Sequence, residues 1–322
     1  MDRADALLDC LADGREHSGE ALGQHLGVTR AAVWKLIRQL RKEGAPVRSG
    51  AGRGYCLAAP MERLDPEAIQ ASLGAAARSH LAEVRVERAV DSTNRRLFTR
   101  LDELRTPCAL LAEAQLAGRG RRGRPWHSPF GRNLYMSLAW RFEDVPGGMA
   151  GLSLVVGMAV AEALTRLGAE GIGLKWPNDL MVGDDKLGGV LVELQGEPAG
   201  PCTVVIGLGL NLEMDDAADI DQPWTALRPH MGDWLGRNRL AAAVLDALVD
   251  CLTRFAAEGF GPFADQWPRF DILQGRRVTL YVGNQQLQGS ACGVDATGCL
   301  LLDRGQGCEP WSAGEVSVRP VS

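Results

Sequence analysis

The sequence predicts an α+β chain of three modules: a winged helix-turn-helix over 1–62, a mixed-sheet α/β domain over 63–272 and a small β-barrel over 273–322. Three observations predict it. Capped amphipathic helical stretches, then a glycine-rich hairpin pattern, fill the N-terminal part. Strand-like and helical stretches alternate through the middle. Short strands separated by Gly, Asn and Asp close the chain.

In the first module, Ala4, Leu7, Leu8 and Leu11 recur at helical spacing toward Gly14. Ser18 can cap a second helix ending at Gly27, and Thr29 a third that Gly44 stops. Val33, Leu36, Ile37 and Leu40 mark the buried face of the third helix, while Arg30, Lys35, Arg38, Gln39, Arg41 and Lys42 occupy its other faces. Val47 to Leu57 reads as a hairpin carrying Arg48 and Arg53. Charge divides the module: residues 1–27 hold two basic and six acidic side chains, residues 28–54 seven Lys/Arg and one Glu. In a winged helix-turn-helix the third helix enters the major groove and the hairpin touches phosphates. Thr29, Arg30, Lys35, Arg38, Arg48 and Arg53 are therefore the candidate DNA contacts. A small protein-interaction module with a solvated basic face would share this pattern.

Ala58-Ala59-Pro60 is a short linker, and Asp65-Pro66 opens a helix. Strands are expected from Val84 to Val90, Ala109 to Leu116, Asn133 to Trp140, Ile172 to Trp176, Leu187 to Leu194 and Thr203 to Leu212. Helices are expected over Arg95–Leu104, Met149–Leu167 and Arg239–Glu258. Gly183-Asp184-Asp185 reads as the turn of a hairpin from Leu180 to Leu187, which makes the sheet mixed. Beyond residue 273, strands are expected at Arg277–Val282, Gln286–Val294, Cys299–Leu302 and Glu315–Arg319.

Composition is that of a globular protein, with 46% hydrophobic residues and a net charge of −5 over 322 residues. Eight scattered cysteines form no C-x-x-C pair, which points to free thiols in a reducing cytoplasm. The longest uncharged run, Val145 to Ala161, is glycine-broken and short of the ~20 residues a membrane span needs. It reads as a buried helix, and no membrane partner is expected.

The stretch Gly118-Arg119-Gly120-Arg121-Arg122-Gly123-Arg124, followed by Pro125-Trp126, joins flexible backbone to forked permanent cations. It suits an anion cradle that orders on binding, and equally a solvated basic loop. Asp91-Ser92-Thr93-Asn94 stands where a strand hands over to a helix; it can form a neutral polar pocket for a carbonyl or ureido group, or simply cap the helix. Gln115 ends the next strand, just before the arginine stretch. Lys175-Trp176-Pro177-Asn178-Asp179 can meet phosphate and a hydrated magnesium ion, or mark a turn. Lys186, beside Gly188-Gly189, can approach a carboxylate closely, or be an exposed hairpin lysine. Asn211 ends an apolar strand as a lone amide. Trp224 follows an acidic stretch, Glu213 to Gln222, where it can stack on a base or simply pack. The sequence has no P-loop, no kinase motifs and no G-x-S-x-G elbow. Chemistry by charge neutralisation and positioning remains.

In this order, these segments resemble those of the biotin–protein ligases of the bifunctional type that also repress the biotin operon. The resemblance covers nearly the whole chain. Gly118 to Trp126, Lys175 to Asp179 and Lys186-Leu187-Gly188-Gly189 carry it. Thr29 to Lys35 is similar to the recognition helix, Gly52-Arg53-Gly54-Tyr55 to the wing, and Pro310-Trp311 with Gly314-Glu315 to the SH3-like C-terminal domain. It implies a central catalytic domain of the biotin/lipoate ligase type, with ATP and Mg²⁺ used to make biotinyl-adenylate and then to biotinylate a lysine of a biotin carboxyl carrier protein. Ser92, Thr93, Asn94 and Gln115 would hold the ureido end of biotin. Arg119, Gly120 and Arg121 would close over biotin and the acyl phosphate, with Arg124 and Trp126 on the adenylate side. Lys186 would meet the carboxylate, and Lys175, Asn178, Asp179 and Asn211 would line the nucleotide and metal side, with Trp224 over the adenine. Arg121, Lys186 and Lys175 are the catalytic candidates. Operator DNA is the second expected partner, bound by a homodimer reading a palindrome. A ligase-like effector sensor without activity and a lipoate-type ligase are the alternatives.

Overall fold

A computed structural model describes the chain apart from residues 1, 51–53, 105, 198–199, 216–219, 284, 314–315 and 321–322. Gly52 and Arg53 of the expected wing, Gly314-Glu315 and part of the acidic stretch before Trp224 thus lie outside the described residues.

The N-terminal module is α1 (Arg3–Leu11), α2 (Gly19–Leu26), α3 (Arg30–Lys42) and a hairpin of β1 (Val47–Gly50) with β2 (Gly54–Leu57). Both anticipated caps form: Ser18 Oγ accepts from the Ala21 amide at 3.0 Å and Thr29 Oγ1 from Ala32 at 3.2 Å. Leu7, Leu8, Leu11, Val33, Ile37 and Leu40 bury themselves in a core separate from the main one, which Ala114 and Phe130 from outside the module complete. The charge division acquires a structural meaning. Asp5 and Asp9 pair with Arg63 of the linker, and Asp2, Asp5 and Glu43 pair with Arg88 of the central sheet. Asp2, Asp5, Asp9 and Glu43 dock the module, while Arg30, Lys35, Arg38 and Arg48 are exposed.

The linker leads through α4 (Pro66–Ser72) and α5 (Ala75–His80) into β3 (Glu83–Val90), α6 (Thr93–Phe98), β4 (Cys108–Gln115) and β5 (Asn133–Phe142). Then come α7 (Leu152–Arg166), β6 (Ile172–Lys175), β7 (Asp179–Val182), β8 (Asp185–Gly196), β9 (Cys202–Asn211), α8 (Arg237–Glu258) and α9 (Gly261–Ala264). The seven strands run in the order β3-β4-β5-β9-β8-β7-β6, with β3 and β4 parallel and every other pair antiparallel. The alternation of side chains along a strand sorts the two faces. Leu134, Met136, Leu138, Leu208 and Leu210 join α7 and α8 in the main core. Ser137, Gly207 and Gly209, out of phase with them, face α6 and the loops, where the site forms.

The C-terminal module is an antiparallel sheet of β10 (Arg277–Val282), β11 (Gln285–Val294), β12 (Leu300–Asp303), β13 (Cys308–Trp311) and β14 (Val316–Pro320), in the order β13-β12-β11-β10-β14. Val278, Leu280, Leu300 and Leu302 continue the main core. The buried Trp176 indole donates to the Gly298 carbonyl at 3.0 Å, which ties this module to the Lys175–Asp179 turn.

Some local expectations are corrected. The helix expected over Arg95–Leu104 starts at Thr93 and ends at Phe98; Thr99 Oγ1 donates back to the Arg95 carbonyl at 3.0 Å, and a 3₁₀ turn follows at Leu101–Glu103. The helix expected from Met149 begins at Leu152, because Gly151 takes a left-handed conformation at its N-cap. The unexpected β13 contains Pro310, which cannot donate to a ladder, and it accordingly lies at the sheet edge. Among the described residues no helix is long and apolar enough to cross a membrane. All eight cysteines are unbridged.

Candidate active site and nucleic-acid interface

Three layers meet at one end of the central sheet. The deepest is the turn from β3 into α6, where Ser92, Thr93 and Asn94 are 3%, 4% and 3% exposed. Ser92 occupies the N-cap position, yet its side chain makes no capping bond, so the turn is not explained by capping. The Thr93 amide donates to Gln115 Oε1 at 2.9 Å, and its hydroxyl reaches the same oxygen at 3.2 Å. Asn94 Nδ2 donates to the Leu191 carbonyl at 3.2 Å and to Glu193 Oε2 at 2.9 Å. A β-carbon on Gly207 would overlap the Asn94 amide; glycine is what lets this side chain lie flat on β9. Gly209 plays the same part for Trp126, since a β-carbon there would stand 2.6 Å from the indole.

The second layer is cationic. Lys186 Nζ lies 2.7 Å from Asp179 Oδ1, and Lys175 Nζ lies 3.2 Å from Asp179 Oδ2, with all three side chains at most 18% exposed. Burial pushes the Asp179 carboxyl upward, but the two lysines outweigh it and hold it below the usual carboxylate range. Asp179 is therefore ionised at neutral pH and leaves one net positive charge on the group. Lys186 also stands 5.5 Å from the centroid of the Trp126 ring, whose buried indole N–H has no partner among the described residues. Asn178 and Asn211 frame the group. Asn178 Nδ2 donates to the Val190 carbonyl at 2.8 Å, and Asn211 Nδ2 to the Thr225 carbonyl at 3.1 Å. Trp224 is drawn in because residues 223–225 pair with the Lys186 backbone.

The arginine stretch forms the third layer. It folds on itself, with the Gly120 amide donating to the Arg124 carbonyl and Trp126 to Gly118, both at 2.8 Å. Arg119 donates to Glu193 Oε1 at 2.8 Å. Arg121 reaches Asn178 Oδ1 at 3.2 Å and the Ala313 carbonyl of the C-terminal module. Burial and the neighbouring Arg122 lower the Arg121 guanidinium from its ordinary value, with Asp179 opposing them. Among the described residues no carboxylate is hydrogen-bonded to this half-buried cation, which suits it to receive an anion. Arg124 is exposed and, among the described residues, its guanidinium has no partner. Arg122 holds φ +58°, the one non-glycine residue in the left-handed region among the described residues.

Comparison with known proteins accounts for this assembly. Residues 86–211 match the Biotin/lipoate A/B protein ligase family, residues 3–56 an HTH domain family and residues 274–319 the Biotin protein ligase C terminal domain. The Bifunctional ligase/repressor BirA of Salmonella typhimurium is 43% identical over 97% of this chain and 96% of that protein. Its Escherichia coli counterpart is 42% identical over the same shares. The chain belongs to the bifunctional biotin–protein ligase/repressor family. A solved biotin protein ligase from Aquifex aeolicus, in complex with biotin and ATP, superimposes with a TM-score of 0.64 at 29% identity, covering 74% of this chain and 100% of that one.

Within this ligase/repressor fold, the structure adds residues that sequence reading had passed over. Ser137 is fully buried and its hydroxyl lies 2.7 Å from Thr93 Oγ1 and 2.6 Å from Asn94 Oδ1. Glu193 accepts from both Asn94 and Arg119, joining the deepest layer to the outermost. Glu113 and Arg237, both wholly buried, pair at 2.7 Å behind β4. Arg237 also donates to the Glu62 carbonyl, and Glu113 accepts from the Leu64 amide, each at 2.8 Å, so this pair bolts the linker to the sheet. A polar side chain alone in an apolar strand was the available signal for Ser137, Glu113 and Glu193. Thr29, Arg30, Lys35, Arg38 and Arg48 lie together on α3 and β1, far in the chain from these three layers; Arg53 is not described.

Proposed function

We propose that this chain is an ATP-dependent biotin–protein ligase and a biotin-responsive repressor. In the first step a biotin carboxylate oxygen attacks the α-phosphorus of ATP. The bond to the bridging oxygen breaks, and pyrophosphate leaves with its electrons, giving biotinyl-5′-adenylate. In the second step the neutral ε-amine of a carrier lysine attacks the acyl carbon. The acyl–phosphate bond breaks, AMP leaves, and the nitrogen loses its extra proton. The observation that carries this reading is the Lys186–Asp179–Lys175 group, set beside a buried neutral pocket and beneath Arg121.

Two anions must approach each other, and their repulsion is the main barrier. Ser92, Thr93, Asn94 and Gln115 supply neutral donors and acceptors for the ureido ring. Lys186 meets the carboxylate and then the acyl phosphate; Lys175 and Arg121 face the phosphates. Arg119, Gly120 and Arg121 close over the intermediate and keep water from the adenylate. Arg124, Trp126, Asn178, Asn211 and Trp224 line the nucleotide side. For Mg²⁺ the fit is to an ion carried by ATP. Asp179 is the one carboxylate in this cationic layer, with both oxygens held by lysines, and among the described residues no cluster of metal-ligating side chains exists. Such an ion would neutralise phosphate charge, and Asp179, Asn178 and Asn211 are the residues that would help to hold it.

Thr29, Arg30, Lys35, Arg38, Arg48 and Arg53 contact operator DNA in this reading, and a homodimer presents two such faces. Eight unbridged thiols suit the cytoplasm. The test is transfer of biotin from biotin and MgATP to a purified carrier domain of acetyl-CoA carboxylase. We expect one biotinyl group per carrier, and none on a carrier whose acceptor lysine is arginine. An unmodified wild-type carrier would overturn the reading.

A further inference from the structure

α3 carries one large side chain that the fold does not use. Trp34 is 48% exposed, while Val33, Ile37 and Leu40 of the same helix are fully buried. Only Trp34 and Leu116 are large exposed hydrophobic residues among those described, and Trp34 takes no part in the module's core. One helical turn further on, the Arg38 guanidinium lies over the indole, 4.8 Å from the ring centroid. Neither Arg38 nor the neighbouring Arg30 and Lys35 has a hydrogen-bond or ion-pair partner among the described residues. The helix therefore presents an ordered aromatic–guanidinium stack, ringed by unpaired positive charge, on its exposed face.

Such a stack is built for a polyanion with flat, patterned edges. A guanidinium can donate two parallel bonds to O6 and N7 of guanine, and an apolar surface is what distinguishes the 5-methyl group of thymine in the major groove. Side chains one turn apart are ~6 Å apart along the helix, against a step of ~3.4 Å between base pairs, so the two address the same or adjacent steps. Stacking on the indole also limits the rotamers of Arg38 before binding. We propose that Trp34 and Arg38 form one base-reading pair: the indole covers a thymine methyl group and positions Arg38 on an adjacent guanine. This rests on the operator-binding reading above.

The experiment selects tight-binding duplexes from a random pool with the full-length protein, biotin and MgATP. Each thymine of the selected duplex is then replaced by deoxyuridine, which lacks only the methyl group, and each guanine by 7-deazaguanine, which lacks only N7. For the wild type we expect one thymine and a neighbouring guanine per half-site to cost roughly 5- to 100-fold in affinity when altered. In Trp34→Ala both penalties fall toward onefold, while its melting temperature and the salt dependence of its binding stay those of the wild type. In Trp34→Phe the thymine penalty returns. Equal penalties in wild type and Trp34→Ala, or no thymine whose methyl group matters, overturn the inference alone. Selection of no preferred duplex by the wild type overturns the operator reading, and the inference with it.

Discussion

The arginine stretch and the recognition helix are both rich in basic side chains, which stand in opposite environments. Around Arg119 and Arg121 the fold supplies acceptors: Glu193, Asn178 and the Ala313 carbonyl. Around Arg30, Lys35 and Arg38 it supplies none among the described residues, and Asp2, Asp5, Asp9 and Glu43 of that module are turned to Arg63 and Arg88 instead. Arg121, half-buried with uncharged acceptors while Glu193 holds Arg119 beside it, is prepared for one small anion at a fixed place. Cations spread over an exposed helix are prepared for a long polyanion whose counterions they displace. Basic runs are alike in sequence; what surrounds them assigns the partner.

Four changes would break or sharpen this contrast. Glu113→Ala leaves Arg237 buried without its partner and should cost about 3–5 kcal/mol of stability, read by denaturant unfolding. A cost under ~1 kcal/mol would mean that the sheet end is not held rigidly by this pair. Lys186→Ala should slow biotin-dependent adenylation about 10²–10³-fold in single-turnover kinetics, with DNA affinity measured at fixed salt without biotin or ATP unchanged. An equal fall in both would show that the two cation clusters are not separate. Arg121→Gly should release biotinyl-adenylate roughly 10- to 100-fold faster, the worth of hydrogen bonds to a charged group, with the fold intact by circular dichroism. An unchanged off-rate would remove the arginine stretch from its role as a cover. The smallest effect belongs to Lys35→Ala. It should lower the slope of log affinity against log salt by ~0.9, the value for one phosphate contact, and leave biotin transfer untouched; a slope equal to the wild type's would place Lys35 off the DNA.

Local signals were legible in the sequence. Ser18 and Thr29 cap helices because a side-chain oxygen and a backbone amide three residues on are neighbours in any helix start. The hairpin turn at Gly183-Asp184 and the strands around it were visible for the same reason. Distant partnerships were not. Asn94 and Ser137 are 43 positions apart, and Glu113 and Arg237 124 positions apart, so no spacing rule connects them. Arg124 shows a further limit. Its side chain is exposed while that of Arg121 is half-buried, a difference that their shared place in the arginine stretch does not reveal. Pro310 obscured β13, because proline argues against a strand except at an edge, and edges are set by tertiary order.

In the proposed reaction the buried Ser92–Thr93–Asn94 turn and the Lys186–Asp179–Lys175 group together join a specific carboxylate to the α-phosphate of ATP. Exchange of labelled pyrophosphate into ATP, run with biotin and with lipoate side by side, tests it most directly. The account predicts rapid exchange with biotin, little with lipoate, and near-complete loss with biotin in Lys186→Ala. Exchange with lipoate alone, or none with either acid, would contradict it.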